Sequence, residues 1–403
     1  MRELLRIRDF RIFWSALSIS AFGDALTALA LLLTAQQVTG STAAVALTAI
    51  AIALPSLLFG MIAGVYVDRW NRKRITILSD SIRAVLVLAF LLVDSPDRMW
   101  LLYVVAFIQA AIGIFDEPAK SALIPEMVGS ERLLGANSLS MTSRIVAGVV
   151  GTGVAGLVAG LTGAVGPVYV IDGATFAASA FLMSRLRLTG AAPGADSEHH
   201  FWAQLGEGMK LLRSSRPLRG VLVGATVVML GLGAVNVLLV PFVVGTLKIS
   251  ETWFGALEAS QVSAMVLAGV LVTTLAKTLK PPAIVVLGLG GAGVVVAGMA
   301  AASSVWHLMA LLFLVGWFVA PAQAGVSTIF QTEAPPELLG RATASLSTAI
   351  TAANVTSMAM AGAAAALIGV RGVFVVGGAL TTLAALLAAF LFREPKTNPS
   401  VLA

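Results

Sequence analysis

Asp24, Asp80, Arg83, Asp116, Glu117, Arg144, Asp172 and Glu258 are charged residues set in, or at the ends of, long apolar runs. An ionisable group in such a setting is expensive to keep, so each is a candidate for work done inside a membrane. Asp24 stands about 12 residues into the first run, roughly 18 Å along a helix, which places it near the level where carrier sites lie. A carboxylate there can take up and release a proton and so couple proton entry to the exit of another solute. Equally, it can serve as the structural partner of Arg83 or Arg144. Asp80 and Arg83, three positions apart, fall on one helical face and are expected to neutralise each other. Arg144 has no acid near it in sequence, which leaves Asp24, Asp116 or Glu117 as its partner. Asp172 and Glu258 are expected near the ends of their runs, where snorkelling or a gate serves.

The elements that position these groups follow from composition. The 403 residues are 58% hydrophobic and 11% charged, against about 25% charged in an ordinary soluble domain. Apolar runs of about 20 residues recur throughout, the length an α-helix needs to cross roughly 30 Å of hydrocarbon. Strict alternation is absent, so helices are expected rather than a barrel. Spans are expected at residues 11–36, 43–67, 75–94, 99–118, 137–162, 167–186, 220–245, 253–276, 282–302, 306–330, 342–368 and 373–392. Arg98, Lys248 and Arg371 are the bases expected in loops on one side, and nearly all others fall in loops on the side of the termini. Both termini are therefore expected in the cytoplasm, in a multi-pass protein of the plasma membrane. The net charge of +6 thus reflects topology and not nucleic-acid binding.

One long polar segment divides the chain into an N-terminal bundle (1–187), a linker with an interfacial helix (188–219) and a C-terminal bundle (220–403). In the linker Phe201, Trp202, Leu205, Met209 and Leu212 recur at near-helical spacing, fitting a helix along the inner membrane surface. His199 and His200 are adjacent, point apart on a helix, and do not read as metal ligands. There is no cysteine, hence no disulfide or thiolate chemistry. Glu131-Arg-Leu-Leu-Gly135-Ala-Asn-Ser-Leu139-Ser is echoed by Glu337-Leu-Leu-Gly340-Arg-Ala-Thr-Ala-Ser-Leu346-Ser. Ala63-Gly64-Val65 is likewise echoed by Ala268-Gly269-Val270 at nearly the same offset. This points to two parallel, duplicated halves.

After the second run the chain reads Gly64-Val-Tyr-Val-Asp68-Arg69-Trp-Asn-Arg72-Lys73-Arg74. It resembles the GxxxDRxxRK loop signature of the major facilitator superfamily, at the place where that family carries it. The resemblance implies an all-α membrane fold of twelve helices in two pseudo-symmetric six-helix bundles, working by alternating access. It also implies a cytoplasmic gate of Gly64, Asp68, Arg69, Arg72 and Lys73. In this gate Asp68 would meet free N–H groups around Ala342 and Ser345, and Arg72 would meet Asp116 or Glu117. Leu5-Arg-Ile-Arg-Asp9-Phe10-Arg11, Gly23-Asp24 and Pro118-Ala-Lys-Ser-Ala-Leu-Ile-Pro125-Glu126 resemble the drug and siderophore efflux branch, of the enterobactin-exporter and macrolide-efflux type. Ser20-Ala-Phe-Gly-Asp24 and Pro118-Ala-Lys are shared with lysophospholipid transporters. Gly148, Gly151, Gly153, Gly156 and Gly160 are similar to the antiporter pattern GPxxGG, with Thr152 and Ala155 departing from it. Close helix packing accounts for the same glycines.

Polar residues able to line a cavity are few: Gln109, Asn236, Gln261, Gln323 and Asn354, with Phe22, Phe115, Phe242, Trp317 and Met358 as apolar partners. That balance suits a bulky amphipathic solute better than a sugar. No GxxxxGK[ST], HExxH or GxSxG occurs, so neither nucleotide hydrolysis nor an intramembrane enzyme is indicated, and no cofactor is called for. The expectation is a monomeric secondary transporter for a hydrophobic or amphipathic small molecule, exchanging it for protons through Asp24, Arg83 and Arg144. A lipid carrier of the same fold is the alternative.

Overall fold

The structure is a computed structural model describing residues 3–188, 201–335 and 338–392. His199, His200 and Glu337 lie outside these. So do the surroundings of Gly64, Asp68 and Arg69 and the side chains of Phe201, Trp202 and Leu205, although these six residues lie in helices. The first bundle comprises α1 (Arg8–Thr39), α2 (Thr42–Arg69), α3 (Arg72–Leu86, prolonged by a 3-10 segment Val87–Leu92), α4 (Met99–Val128), α5 (Leu133–Thr162) and α6 (Gly166–Ser184). A linker helix, α7 (Phe201–Ser214), precedes α8 (Arg216–Val240, closed by the π-helical turn Pro241–Thr246), α9 (Phe254–Leu275), α10 (Pro281–Gly298), α11 (Val305–Glu333) and α12 (Leu339–Phe392). Among the described residues 11 helices are long and apolar enough to cross a membrane. The 54-residue α12 breaks at Gly369, whose φ of 71° and ψ of 162° leave the helical region. Only glycine adopts that conformation without strain, and it makes two spans of α12, twelve in all.

Local chemistry explains the helix starts. Ser41, Asn71, Ser215 and Ser304 each accept a bond from the backbone N–H three residues on, occupying a donor that the first turn leaves free. Three boundaries correct the expectation from sequence. α4 runs on through Pro118 and Pro125 to Val128, because a membrane helix can satisfy the groups that proline frees. Asp116 and Glu117 are consequently well inside the helix, and Lys120, read from the sequence as a loop base, is buried. α5 starts at Leu133 and α12 at Leu339. The Ala342 N–H already bonds the Leu338 carbonyl at 2.9 Å, so the free donors that Asp68 was expected to meet lie earlier in the chain.

In the first bundle α1 packs on α5, α6 and α2, α2 on α4, and α3 on α4 and α6. In the second, α12 packs on α8 and α10, and α11 on α9 and α10. α7 docks on α12, where Glu207 pairs with Arg341. The halves meet along α2–α12 and α5–α9. On the face away from the termini the second seam is closed backbone to backbone. Cβ atoms placed at Gly255 and Gly156 would run into the Gly153 Cα and the Glu251 carbonyl, and one at Gly160 into Thr252. Gln37 of α1 also donates to Glu251 at 3.3 Å. Toward the basic face, α2 and α12 enclose a cavity of about 380 Å³ lined by Ser56, Gly60, Ser347 and Thr351 among others. The glycines of α5 are thus divided: Gly151 presses on the α1 backbone, while Gly153, Gly156 and Gly160 form the contact between halves. Small residues permit this because they let backbones touch.

Candidate transport site

Nearly all the buried charge belongs to the first bundle. Asp24, midway along α1, pairs with Arg83 of α3. The two ends of this pair differ: the Arg83 side chain is 9% exposed and that of Asp24 43%. α1 is flanked by α2, α4, α5 and α6 and touches α8 of the other half. α1 therefore borders the cleft between the halves. On its buried side the Arg83 guanidinium lies 4.1 Å from the centroid of the Phe176 ring, a cation–π contact that steadies the cation without neutralising it. Gly113 leaves room for the guanidinium, which a Cβ there would meet at 3.8 Å.

One turn toward the basic face a second cluster joins α1, α3, α4 and α6. Lys120 Nζ is 2.5 Å from Asp116 Oδ2 and 3.5 Å from Asp80 Oδ1, and it donates to Ser20 Oγ at 3.3 Å. Ser179 of α6 donates to Asp80 Oδ2 at 2.5 Å. Asp80 therefore serves Lys120 and Ser179, not Arg83 as its spacing suggested: the expected bond along one helical turn yields to partners on facing helices. Lys120 was not singled out in the sequence. Pro118 and Pro125 on either side of it imitate the punctuation of a loop.

Asp172 of α6 is fully buried, contrary to the snorkelling expected from its place near a helix end. The hydroxyl of Thr27 donates to its Oδ2. Its Oδ1 lies 3.0 Å from Thr175 Oγ and directly over Gly23, where a side chain would overlap it. Among the described residues Arg83 thus answers Asp24, Lys120 answers Asp80 and Asp116, and Asp172 is held by hydroxyls.

The remaining candidates are distributed. Arg144 pairs with Glu117 at 2.5 Å, both part-exposed, and together with Lys120, Ser140 and Met141 they line a cavity of about 190 Å³ between α1, α4 and α5. Arg72 binds neither Asp116 nor Glu117 but Glu126, at 3.2 Å, because the added length of α4 puts Glu126 where its end was expected. Lys73 donates to the Leu186 carbonyl at 2.6 Å. Phe22 is half-buried, its carbonyl against Gly151, and Phe115 is half-buried beside Asp116. Gln109 is buried, with no partner for its Oε1 among the described residues. Asn236, Asn354 and Met358 belong to the α8–α12 pair, with Asn354 against Gly233. Gln261 and Trp317 belong to α9–α11, where Trp317, Ala268, Leu271, Thr274 and Pro321 line an apolar cavity of about 250 Å³. Gln323 is exposed two residues beyond. Phe242 is not a cavity residue: it is fully buried, edge-on to Phe374 at 4.8 Å.

The chain is 25% identical to macrolide efflux protein A of Streptococcus pyogenes over 341 residues, 82% of this chain and 83% of that protein. Its fold matches a point mutant of the nucleoside transporter NupG with a TM-score of 0.80 at 13% identity, covering 95% of this chain and 100% of that one. It also matches a bacterial homologue of the iron transporter ferroportin in an inward-facing state, with a TM-score of 0.76 at 17% identity, covering 96% and 98%. The profile of the transmembrane secretion effector family matches residues 4–402, and with the two-bundle fold and the charged core of its first half the chain belongs to that family of major facilitator transporters.

Proposed function

We propose that this protein exports hydrophobic or amphipathic small molecules, drug-like compounds or siderophores, in exchange for protons. The halves 1–187 and 220–403, joined by the linker 188–219, would rock about the site in alternating access. The positive loops support a cytoplasmic basic face, and with that orientation the glycine seam of α5 and α9 is the outer closure. The similarity to a macrolide efflux protein and the apolar balance of Phe22, Phe115, Trp317 and Met358 support a bulky substrate. Gly64, Asp68, Arg69, Arg72 and Lys73 form the cytoplasmic gate, with Glu126 in the place first given to Asp116 and Glu117.

The observation that carries the coupling is the asymmetric pair of Asp24 and Arg83. Its carboxylate is part-exposed while its cation is sealed behind it. A proton on Asp24 removes the charge that holds Arg83 and frees α1 from α3 for the return step, whereas the charged form is the one that carries the substrate outward. The two ligands then compete through one group. The test is proton release on adding a macrolide to detergent-purified protein across pH 6 to 8. Wild type should release protons and Asp24→Asn should not, while still binding the macrolide. An unchanged proton signal in the variant would remove Asp24 from coupling. Substrate flux in vesicles that persists after the proton gradient is dissipated would favour the lipid carrier.

A further inference from the structure

Of the buried acids that the proposed exchange does not use, Asp80 and Asp116 share Lys120, whereas Asp172 has no such partner among the described residues. Asp172 sits in the α1–α6 seam with two hydroxyls and a glycine around it, and no cation pairs with it among the described residues. The hydrogen count is informative. Thr175 Oγ lies 2.8 Å from the Asp172 main-chain carbonyl and 3.0 Å from its Oδ1, but a hydroxyl has one proton to give. If it is given to the carbonyl, as threonine in a helix commonly does, the contact with Oδ1 needs a proton from the acid. With Asp172 neutral, every bond is supplied: Thr27 donates to Oδ2, Oδ1–H donates to Thr175, and Thr175 donates to the carbonyl. With Asp172 ionised, one contact becomes two lone pairs face to face.

We propose that Asp172 is a second proton-binding site, whose neutral acid locks α6 to α1 and whose ionisation unlocks them. This rests on the proton-exchange reading only for its purpose, not for its chemistry. On ionisation the acid O–H bond breaks, the electron pair stays on the carboxylate and the proton goes to solvent. The new charge lies over Gly23, one residue from Asp24, and the two carboxylates repel. The groups facing Asp172 are Asp24 and Thr27 from α1 and Arg83 from α3, while Asp80 of α3 meets α6 farther along, at Ser179. Asp80 is committed to Lys120 and Ser179 and Arg83 to Asp24. The segment Val87–Leu92 offers no titratable group, and α5 only Arg144, which is bound to Glu117. Further along the seam the hydroxyls of Thr34 and Tyr169 meet at 2.7 Å, so this contact is held by neutral hydrogen bonds throughout.

The test needs no substrate. Infrared spectra of the full-length purified protein are recorded across pH for wild type, Asp172→Asn and Asp24→Asn, together with amide hydrogen exchange of residues 20–28, corrected for its intrinsic pH dependence. A protonated-acid carbonyl band should be present at neutral pH in wild type and Asp24→Asn, and absent in Asp172→Asn, whose amide reproduces the neutral acid. In wild type, exchange should rise about tenfold or more as the band vanishes, and in Asp172→Asn it should stay low and flat. Thr175→Val should shift the band by removing its acceptor, which keeps the proposal testable if Asp172→Asn folds poorly. A band unchanged in Asp172→Asn, unshifted in Thr175→Val, or lost without any rise in exchange overturns the proposal. Vesicles that exchange no protons would remove the antiport reading and leave these outcomes to decide Asp172 alone.

Discussion

Arg83 reaches from α3 across to Asp24 on α1, 59 positions earlier in the chain, and the sealed member of this pair is the cation. Losing the carboxylate therefore strands a buried arginine, which makes the chemistry of the replacement decisive. Asp24→Asn keeps an oxygen that accepts from Arg83, while Asp24→Ala keeps nothing. Removing one partner of a buried pair costs about 3 to 5 kcal/mol, and Asp24→Ala should approach that loss. Asp24→Asn should lose clearly less, with the ranking read from thermal unfolding in detergent. Equal destabilisation would mean that Arg83 does not depend on this contact.

Lys120 holds Asp116 and Asp80 together, with all three side chains buried. Lys120→Met should lower stability by about 3 to 5 kcal/mol, since two carboxylates are left facing each other. Acidifying the buffer should restore part of the loss by supplying a proton in place of the ammonium, so the melting temperature of the variant should rise as pH falls. Adding Asp116→Asn should restore part of it at neutral pH. A variant whose melting temperature equals that of wild type, or does not rise relative to wild type as pH falls, would show the cluster to be solvated.

Arg72 and Glu126 join the loop after α2 to the end of α4. Arg72→Ala and Glu126→Ala should be non-additive in thermal stability, with a coupling of about 0.5 to 1 kcal/mol for a part-exposed pair. Arg72→Ala with Asp116→Ala should be additive. The reverse pattern would reinstate the pairing with Asp116.

Gly153 and Gly255 let α5 and α9 touch by their backbones. Gly153→Leu should wedge this seam open and bias the protein toward the other conformation. Because the chain has no cysteine, a single Asn236→Cys can report on it. Its labelling by an impermeant maleimide added outside should increase several-fold in the Gly153→Leu background, while transport falls. Unaltered labelling would mean that the seam is not the outer closure.

Much of this architecture was legible in the chain. The apolar runs mark the spans to within a few residues, and the choice for Asp24 and for Arg144 already included the partners the structure shows, Arg83 and Glu117. Most of what failed has one source. Pro118 and Pro125 look like helix breakers, so α4 was ended ten residues early, and with it went Lys120, the true partner of Asp80 and Asp116, and Glu126, the partner of Arg72. Asp172 failed differently. Its distance from a helix end suggested water, but only three-dimensional packing reveals that Gly23 and Thr27 form a niche for it on the neighbouring helix.

The way the first bundle is paired has a consequence for its biosynthesis. α4 can bring its own counter-ion for Asp116 into the bilayer, Lys120 one turn beyond it, leaving Glu117 for Arg144 of α5. α1 cannot: Asp24 has no base on its own helix within reach and finds one only when α3 arrives. A nascent chain halted between the two carries an unanswered charge at mid-membrane. The emergence of Arg83 is then the step that answers this charge, and an Arg83 variant should be lost to membrane proteolysis before it is ever a poor transporter.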